Sequence, residues 1–337
     1  MGKSTCAIGL TIAGQSMTLS FDATYSRLQR RITRHFAGYL SDPVPEAACI
    51  NISAYKRGKI FPWSDTGIEP FADCISKTLE RLPQSHPVRE RTIEALHILR
   101  HISPGSAELE QLNGQDSRLL IFAMSGASLF LYRPDRRTAA AIIPKTLRAD
   151  PMLAAVMNAI MFVLSHLLAT SGGLLLHGSA VEREGATVLF IGRSGSGKST
   201  AARLCRPDTC FADDGVTIVR SGGTFWAQRS PFRQIDMADQ ATNGYRGAIG
   251  KVFILDKKDS ERVSDVARPE MMRYILQHAI HFYKYLDDDA ARTGFESVKL
   301  LLDTLPVYRL EFTRTSDVWQ LISQTDGDRS IYDNTER

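Results

Sequence analysis

The sequence predicts an α/β protein in which a smaller N-terminal α+β domain precedes a core built around a phosphate-binding loop. The first observation behind this prediction is the segment Gly192-Arg193-Ser194-Gly195-Ser196-Gly197-Lys198-Ser199-Thr200, which matches G-x-x-x-x-G-K-[ST] in full. The second is that short apolar runs alternate with helical patterns after residue 174, as in strands packed against helices. We therefore expect an N-terminal domain over residues 1–150, a P-loop domain over 151–324 and a polar tail over 325–337.

The composition is that of an ordinary globular protein. The 337 residues are 43% hydrophobic and 23% charged, which excludes wholesale disorder, collagen and coiled coil. There are 41 Lys and Arg against 37 Asp and Glu, a formal net charge of +4 that is not collected in one run. We therefore predict no nucleic-acid partner and no membrane partner. Homo-oligomer formation is left open.

Cysteine usage indicates a reducing compartment. The chain has five cysteines, an odd number with no C-x-x-C pair, so neither a disulfide framework nor a zinc site is indicated. The first residues have no apolar signal region. We expect a cytoplasmic protein.

In the first half, strand-like runs flank helical patterns, and no chemistry is evident. The predicted elements are a hairpin of residues 6–12 and 16–21 about Gly14, a helix over 25–39, a helical stretch over 75–101 broken at Pro83 and Pro87, and a second hairpin of residues 119–124 and 128–132.

Residues 152–176 carry no formally charged side chain, so a membrane span and a buried helix both have to be weighed. Asn158, Ser165, His166 and Thr170 are among the polar residues that interrupt this run. We favour a buried helix of about four to five turns that leads into the first core strand.

The second half has the pattern of a catalytic core. Its predicted strands are 174–181, 187–191, 210–212, 216–219, 224–227, 251–255 and 307–312. One predicted helix begins at 198 or 199, and the others are 269–286, 295–302 and 316–322.

The loop motif predicts a site for nucleotide phosphates and Mg²⁺, and by itself it does not choose among a GTPase, an ATPase and a kinase. Its glycines let the backbone turn N–H groups around a phosphate, and the following helix N-terminus adds a favourable dipole. We expect Lys198 to reach the β- and γ-phosphates and Ser199 to ligate Mg²⁺. The predicted nucleotide ligands are Gly192, Ser194, Gly195, Ser196, Gly197, Lys198, Ser199 and Thr200.

Two adjacent carboxylates, Asp213 and Asp214, end a short apolar run fifteen residues after Lys198. That interval has room only for the helix after the loop and one return strand. Such a pair can divide its work, one carboxylate holding Mg²⁺ and the other taking a proton from an attacking hydroxyl. A surface turn is the alternative, and the neighbouring loop makes us favour the site.

Three segments together resemble the catalytic domain of HPr kinase/phosphorylase in order and spacing: His177-Gly178-Ser179-Ala180-Val181, the loop, and Ala212-Asp213-Asp214. The resemblance covers about residues 174–255. It implies a serine-kinase fold related to phosphoenolpyruvate carboxykinase. It further implies that Lys198, Ser199 and Thr200 bind triphosphate and metal and that one aspartate is the general base. His177 would lie beside the γ-phosphate or the carboxylates; a core histidine is the alternative.

The sequence departs from that family after the aspartates. The family's second signature has no counterpart, and Trp226-Ala227-Gln228-Arg229-Ser230-Pro231-Phe232-Arg233 stands there instead. This puts phosphorylase activity, and HPr as the substrate, in doubt. In the run Phe211-Ala212-Asp213-Asp214-Gly215, the segment Ser230-Pro231-Phe232 and the long N-terminal region, the chain more closely resembles a divergent branch found beside ribosomal-peptide pathways. The kinases of that branch phosphorylate a serine of a lasso-peptide precursor.

Two further groups of residues have side chains that can bind anions or metals. Arg229, Arg233 and Arg246 could contact a phosphate or a peptide carboxylate, and solvated arginines are an equally good interpretation. His278 and His281, followed by the acidic run 287–289, have no third ligand at a suitable spacing, so we do not predict a metal site there.

We predict an ATP-dependent, Mg²⁺-requiring kinase that phosphorylates a serine-type hydroxyl of a peptide or small protein, such as a ribosomal precursor peptide. Its catalytic residues are expected to be His177, Lys198, Asp213 and Asp214, with Ser199, Asp213 and Asp214 at the metal. One alternative is a regulatory nucleotide-binding protein without catalysis. The other is phosphoryl transfer to a small molecule, as in phosphoenolpyruvate carboxykinase.

Overall fold

The computed structural model describes residues 5–22, 25–55, 76, 79–80, 87–99, 101, 119–124, 128–205, 210–232 and 246–325. Within these ranges the protein is mixed α/β, with seven α-helices and two large mixed sheets. The chain divides into two compact units: residues 1–167 with 284–287, and residues 168–283 with 288–337.

The first unit contains a seven-stranded sheet in the order β3-β1-β2-β4-β7-β6-β5. The pairs β2–β4 and β4–β7 are parallel and the others are antiparallel. The strands are β1 Thr5–Ile12, β2 Gln15–Asp22, β3 Leu40–Ser41, β4 Ala48–Tyr55, β5 Leu120–Met124, β6 Ser128–Arg133 and β7 Thr138–Pro144. The helices that begin in this unit are α1 Ser26–His35, α2 Pro87–Leu99 and α3 Ala149–Thr170.

Both hairpins predicted in this half are confirmed. In the first, Ala13 and Gly14 both have positive φ, 52° and 76°, which is the backbone of the two-residue turn that suits the twist of paired strands. In the second, β5 pairs antiparallel with β6. Strands β4 and β7 were missed, and the Thr-Ala-Ala-Ala start of β7 has little β-propensity of its own.

Helix α3 is the one helix in the described part of the chain that is long and apolar enough to cross a membrane. It begins three residues before the predicted run and ends at Thr170. Of its most apolar stretch of 18 residues, 72% is buried inside the protein. Phe162 of α3 packs on the rings of Phe122 and Phe130, with centroids 5.1 Å away in each case. These contacts are typical of a core helix.

The second unit contains a nine-stranded sheet with the path β11-β9-β10-β14-β13-β12-β8, in which β16 pairs with β14 and β15 pairs with β16. The strands are β8 Leu174–Leu176, β9 Gly178–Arg183, β10 Ala186–Ile191, β11 Cys210–Asp213, β12 Val216–Ser221, β13 Thr224–Gln228, β14 Arg246–Lys257, β15 Arg262–Asp265 and β16 Val307–Phe312. The helices are α4 Lys198–Leu204, α5 Arg268–His278, α6 Asp288–Thr304 and α7 Val318–Ser323.

Strand β10, which leads into the loop, is buried on both faces. Val188 and Phe190 belong to one core cluster, whereas Leu189 and Ile191 belong to another. A strand covered on both sides has a continuous run of apolar residues, and this run allows the sequence to predict β10. Strands β14 and β16 run parallel to it in order, so the carboxyl ends of all three lie at one edge of the sheet.

Several predicted boundaries in this unit were wrong. The run 174–181 is two strands interrupted at His177, and the helix predicted over 269–286 ends at His278. Helix α6 begins seven residues before the predicted start, and β15 was missed. Most of the predicted helical stretch before Pro87, and residues 326–337 of the predicted tail, lie outside the described residues.

Candidate functional site

The loop between β10 and α4 has a shape that its glycines make possible. Gly195 and Gly197 have φ of 80° and 97°, in the left-handed region that favours glycine. A Cβ atom on Gly192 would lie 1.9 Å from the Ser196 hydroxyl oxygen. An alanine at 192 therefore cannot be accommodated unless Ser196 moves.

Lys198, the first residue of α4, is buried under the loop. Its Nζ donates to the backbone carbonyls of Gly192, at 2.8 Å, and Arg193, at 3.1 Å. Burial lowers the pKa of this ammonium group, and the nearby carboxylates of Asp214 and Asp213 oppose that shift. The lysine is thus held among the loop's own carbonyls, beside the two acidic residues.

The Asp213 carboxylate, at the end of β11, faces the serine that follows the loop lysine. It is 1% exposed and accepts a 2.7 Å hydrogen bond from the Ser179 hydroxyl. The Ser199 hydroxyl lies 3.4 Å from each of its oxygens. Asp213 and Ser199 therefore form a small oxygen-rich group next to Lys198.

The neighbouring Asp214 carboxylate points to a different partner. Its Oδ1 is 3.0 Å from Nε2 of His177, and both side chains are partly exposed, at 30% and 24%. Asp214 has a φ of 70°, an unusual value for a residue other than glycine. This backbone conformation follows directly after the strand and separates the directions of the two carboxylates.

His281 contacts the same turn from the segment after α5. Its Nε2 lies 3.1 Å from the backbone carbonyl oxygen of Asp214, and its ring centroid is 5.4 Å from that of His177. Burial lowers the pKa of His281 to about 4, so the ring is neutral near pH 7. Among the described residues, no group of three or more His, Cys, Asp or Glu is arranged to hold a metal ion.

A cavity of about 210 Å³ lies between the loop and the acidic residues. Nine of its ten lining residues were predicted from the sequence. The tenth, Lys257, is exposed at the carboxyl end of β14, next in the sheet to the strand that leads into the loop. The cavity is lined by His177, Ser194, Gly195, Gly197, Lys198, Ser199, Thr200, Asp213, Asp214 and Lys257.

The arginines weighed for substrate binding are not among these lining residues. Arg246 begins β14, at the opposite end of that strand from Lys257, and its guanidinium carbon is 4.5 Å from the ring centroid of Trp226. Arg229 follows β13 and does not line the cavity either. Arg233 lies outside the described residues.

The segment after Arg229 instead supports the turn that carries the two aspartates. The Ser230 hydroxyl donates to the carbonyl of Gly215 and accepts from the N–H of Phe232. The Gly215 N–H in turn contacts the carbonyls of Phe232, at 3.1 Å, and Asp213, at 3.0 Å. The segment that stands in place of the family's second signature thus stabilises the turn after Asp213 and Asp214.

The loop also has a support that the sequence did not reveal. The backbone N–H of Arg193 donates to the hydroxyl oxygen of Tyr274, on α5, at 2.9 Å. No local pattern marks this tyrosine, because the contact joins residues 81 positions apart.

The residues present fit a nucleoside triphosphate with Mg²⁺. The hydroxyl of Ser196 is buried and has no hydrogen-bond partner in the part of the chain that the structure describes. Helix α4 has no side-chain cap, which leaves its first N–H groups to a ligand. Hydroxyl and carboxylate oxygens, as on Ser199 and Asp213, are the ligands that Mg²⁺ prefers.

A comparison with protein families identifies one match in this part of the chain. A family model described as "SynChlorMet cassette protein ScmC" matches residues 142–325, which is more than half of the chain and includes all ten cavity residues. No match is found among curated proteins.

Proposed function

We propose that this chain, which belongs to the ScmC family of SynChlorMet cassette proteins, is an ATP-dependent kinase for a hydroxyl of a peptide or small protein. The observation that carries the proposal is the arrangement of the two aspartates beside the loop. Asp213 faces Ser199, whereas Asp214 faces His177 and the cavity. One carboxylate is thus suited to the metal and the other to the proton of an acceptor.

The fold proposed for the second unit is the core shared by HPr kinase and phosphoenolpyruvate carboxykinase. Support comes from the strand–loop–helix sequence β10, Gly192–Gly197 and α4. It also comes from the position of β11, which pairs with β9 and ends at Asp213 opposite Ser179. The acidic residues therefore lie two strand positions from β10, with β9 between them, on the order of 10 Å across the sheet.

The loop and its lysine would bind the triphosphate. The loop N–H groups and Lys198 would neutralise the β- and γ-phosphates, with the ammonium group exchanging the carbonyls of Gly192 and Arg193 for phosphate oxygens. Ser199 and Asp213 would hold Mg²⁺, which supplies charge neutralisation at the phosphates when bound.

Asp214 is proposed as the general base. It takes the proton of the acceptor hydroxyl as that oxygen attacks the γ-phosphorus, the bond from the γ-phosphorus to the β–γ bridging oxygen breaks, and ADP leaves. His177 holds the carboxylate through the 3.0 Å contact. Asp213 is a poorer candidate, because it is buried and already accepts from Ser179.

Lys257 is proposed to contact the transferred phosphoryl group. Within the cavity, two carboxylates balance Lys198 and Lys257, so a bound triphosphate would meet an approximately neutral lining. Lys257 is the exposed lysine of the lining, whereas Lys198 is buried. A second cation of this kind stabilises the charge of phosphoryl transfer.

The acceptor proposed is a serine of a peptide, as in precursor-peptide tailoring kinases. This part of the proposal depends on the sequence resemblance alone, including the segment Ser230-Pro231-Phe232 that the structure places against the turn after Asp214. Peptides encoded by neighbouring genes are therefore the first acceptors to test. Cytoplasmic location and the absence of membrane and nucleic-acid partners remain part of this proposal.

Incubation with γ-labelled ATP, Mg²⁺ and serine-containing peptides tests the function. We expect labelled phosphopeptide from the wild-type chain and none above background from Lys198→Ala, because the variant lacks the ammonium group at the phosphates. Lys299→Ala, which removes an exposed lysine paired with Asp303 on α6, is the matched control. ATP binding without transfer to any acceptor would favour a regulatory nucleotide-binding protein, and label on a small molecule would favour chemistry like that of phosphoenolpyruvate carboxykinase.

A further inference from the structure

The segment that follows α5 pairs with residues 175–177. The N–H of His177 donates to the carbonyl of Ala279 at 2.6 Å, and the N–H of His281 donates to the carbonyl of Leu175 at 3.0 Å. An antiparallel bridge joins Leu176 and Ile280 between them. The break between β8 and β9 is therefore a short paired region that brings His281 beside His177.

The direction of the hydrogen bond to Asp214 is fixed by its chemistry. A backbone carbonyl only accepts, so Nε2 of His281 must carry the hydrogen that it shares with the Asp214 oxygen. The same peptide group is also held at its nitrogen, because the Gly215 N–H contacts the carbonyls of Asp213 and Phe232. The peptide group that follows Asp214 is thus fixed through both its oxygen and its nitrogen.

We propose that His281 is a positioning residue that holds the Asp214 backbone so that the Asp214 carboxylate meets His177 and the cavity. The inference rests on the proposed function, because it concerns the residue proposed there as the base. Without the Nε2–H donor, the left-handed conformation of Asp214 loses a partner and an extended alternative becomes accessible. The carboxylate then turns away from His177.

The nucleotide end of the cavity does not depend on this contact. Lys198 is held by loop carbonyls, and Asp213 is held by Ser179. Loss of His281 should therefore affect the transfer step and leave ATP binding unchanged. A residue needed only for folding would affect both together.

Three substitutions separate positioning from folding. His281→Gln carries an amide N–H at about the distance of Nε2, His281→Asn carries one that is too short to reach, and His281→Ala has none. We expect kcat to fall about tenfold or more in His281→Asn and His281→Ala and to stay within about threefold of wild type in His281→Gln. The Kd for ATP should remain within about twofold in all three. His97→Ala, an exposed histidine of α2, is the control.

Equal losses in His281→Gln and His281→Asn, or a fall in ATP affinity that accompanies the loss of kcat, would overturn the proposal. A second readout does not need turnover: the ¹⁵N signals of the His177 ring, assigned with His177→Asn, report its contact with Asp214. They should shift in His281→Asn and stay near wild type in His281→Gln, even if no acceptor is ever phosphorylated. Unchanged signals in His281→Asn would refute the positioning role. If the His177 signals shift as expected but the wild-type chain phosphorylates no acceptor, only the proposed function is contradicted.

Discussion

The Ser179 hydroxyl donates a 2.7 Å hydrogen bond to Oδ1 of Asp213, one strand away in the sheet. This bond ties the first aspartate to β9 and orients its carboxylate toward Ser199. The carboxylate of the second aspartate, Asp214, contacts His177 instead. Two residues adjacent in sequence thus have different surroundings, and their substitutions should have different effects.

Asp213→Asn and Asp214→Asn should differ in nucleotide binding. Asparagine at 213 still accepts from Ser179 but loses the charge next to Ser199, so we expect Mg²⁺-dependent ATP affinity to fall about tenfold or more. Asparagine at 214 should leave ATP affinity within about threefold and lower kcat by about 10²–10⁴-fold, as for loss of a general base. Calorimetry with and without Mg²⁺, together with turnover, measures both effects. Identical profiles for the two variants would contradict the division of roles.

The parts of this site that are local in sequence could be predicted, and the parts that depend on chain pairing could not. Strand β10, the loop and α4 follow one another directly, and Asp213 and Asp214 return within one helix and one strand. Lys257 reaches the cavity only because β14 lies parallel to β10. No local sequence pattern predicts that strand pairing.

His281 illustrates the same limit. The sequence pattern suggested helix as far as residue 286, and a histidine pair followed by acidic residues suggested a metal site that we did not adopt. The structure ends α5 at His278 and pairs residues 279–281 with the segment around His177. That tertiary pairing, absent from local propensity, both ends the helix and interrupts the predicted strand over 174–181.

Substitution of Lys257 should weaken the binding of ATP more than that of ADP. If its ammonium group contacts the γ-phosphate, Lys257→Met should raise the Kd for ATP about fivefold or more and that for ADP less than twofold, and it should lower kcat. Lys258→Met is a matched control, because Lys258 is exposed and pairs with Glu311 and Asp256. Equal effects on ATP and ADP would exclude a γ-phosphate contact, and a change confined to the KM for peptide would place Lys257 at the acceptor.

The burial of His281 predicts an acid-sensitive component of stability. Its pKa is about 4 in the folded protein against 6.5 for an ordinary histidine. The unfolded chain therefore binds this proton first as the pH falls, so the stabilisation is complete above pH 6.5 and is lost as the pH falls toward about 4. The corresponding change in unfolding free energy is about 3 kcal/mol at most.

Urea unfolding of the wild type and His281→Gln at about pH 7 and pH 4 measures this component. Other groups titrate in the same range in both proteins, so the comparison is between the two pH dependences and not between the absolute stabilities. The wild type should lose more than the variant, by up to about 3 kcal/mol. Parallel curves would mean that His281 is as accessible to protons in the folded protein as in the unfolded chain.

Removal of the Tyr274 hydroxyl should loosen the loop without unfolding the protein. The Arg193 N–H that donates to it lies near the surface, where water can replace the lost partner, so the expected cost is at the low end for a hydrogen bond. We expect Tyr274→Phe to raise the Kd for ATP about two- to fivefold with little change in Tm. Tyr283→Phe is the matched control, because it removes a hydroxyl that donates to the backbone of Ala291, away from the cavity. Equal ATP affinities in the two variants would show that the loop holds its shape without the tyrosine, through its glycines and the bonds of Lys198.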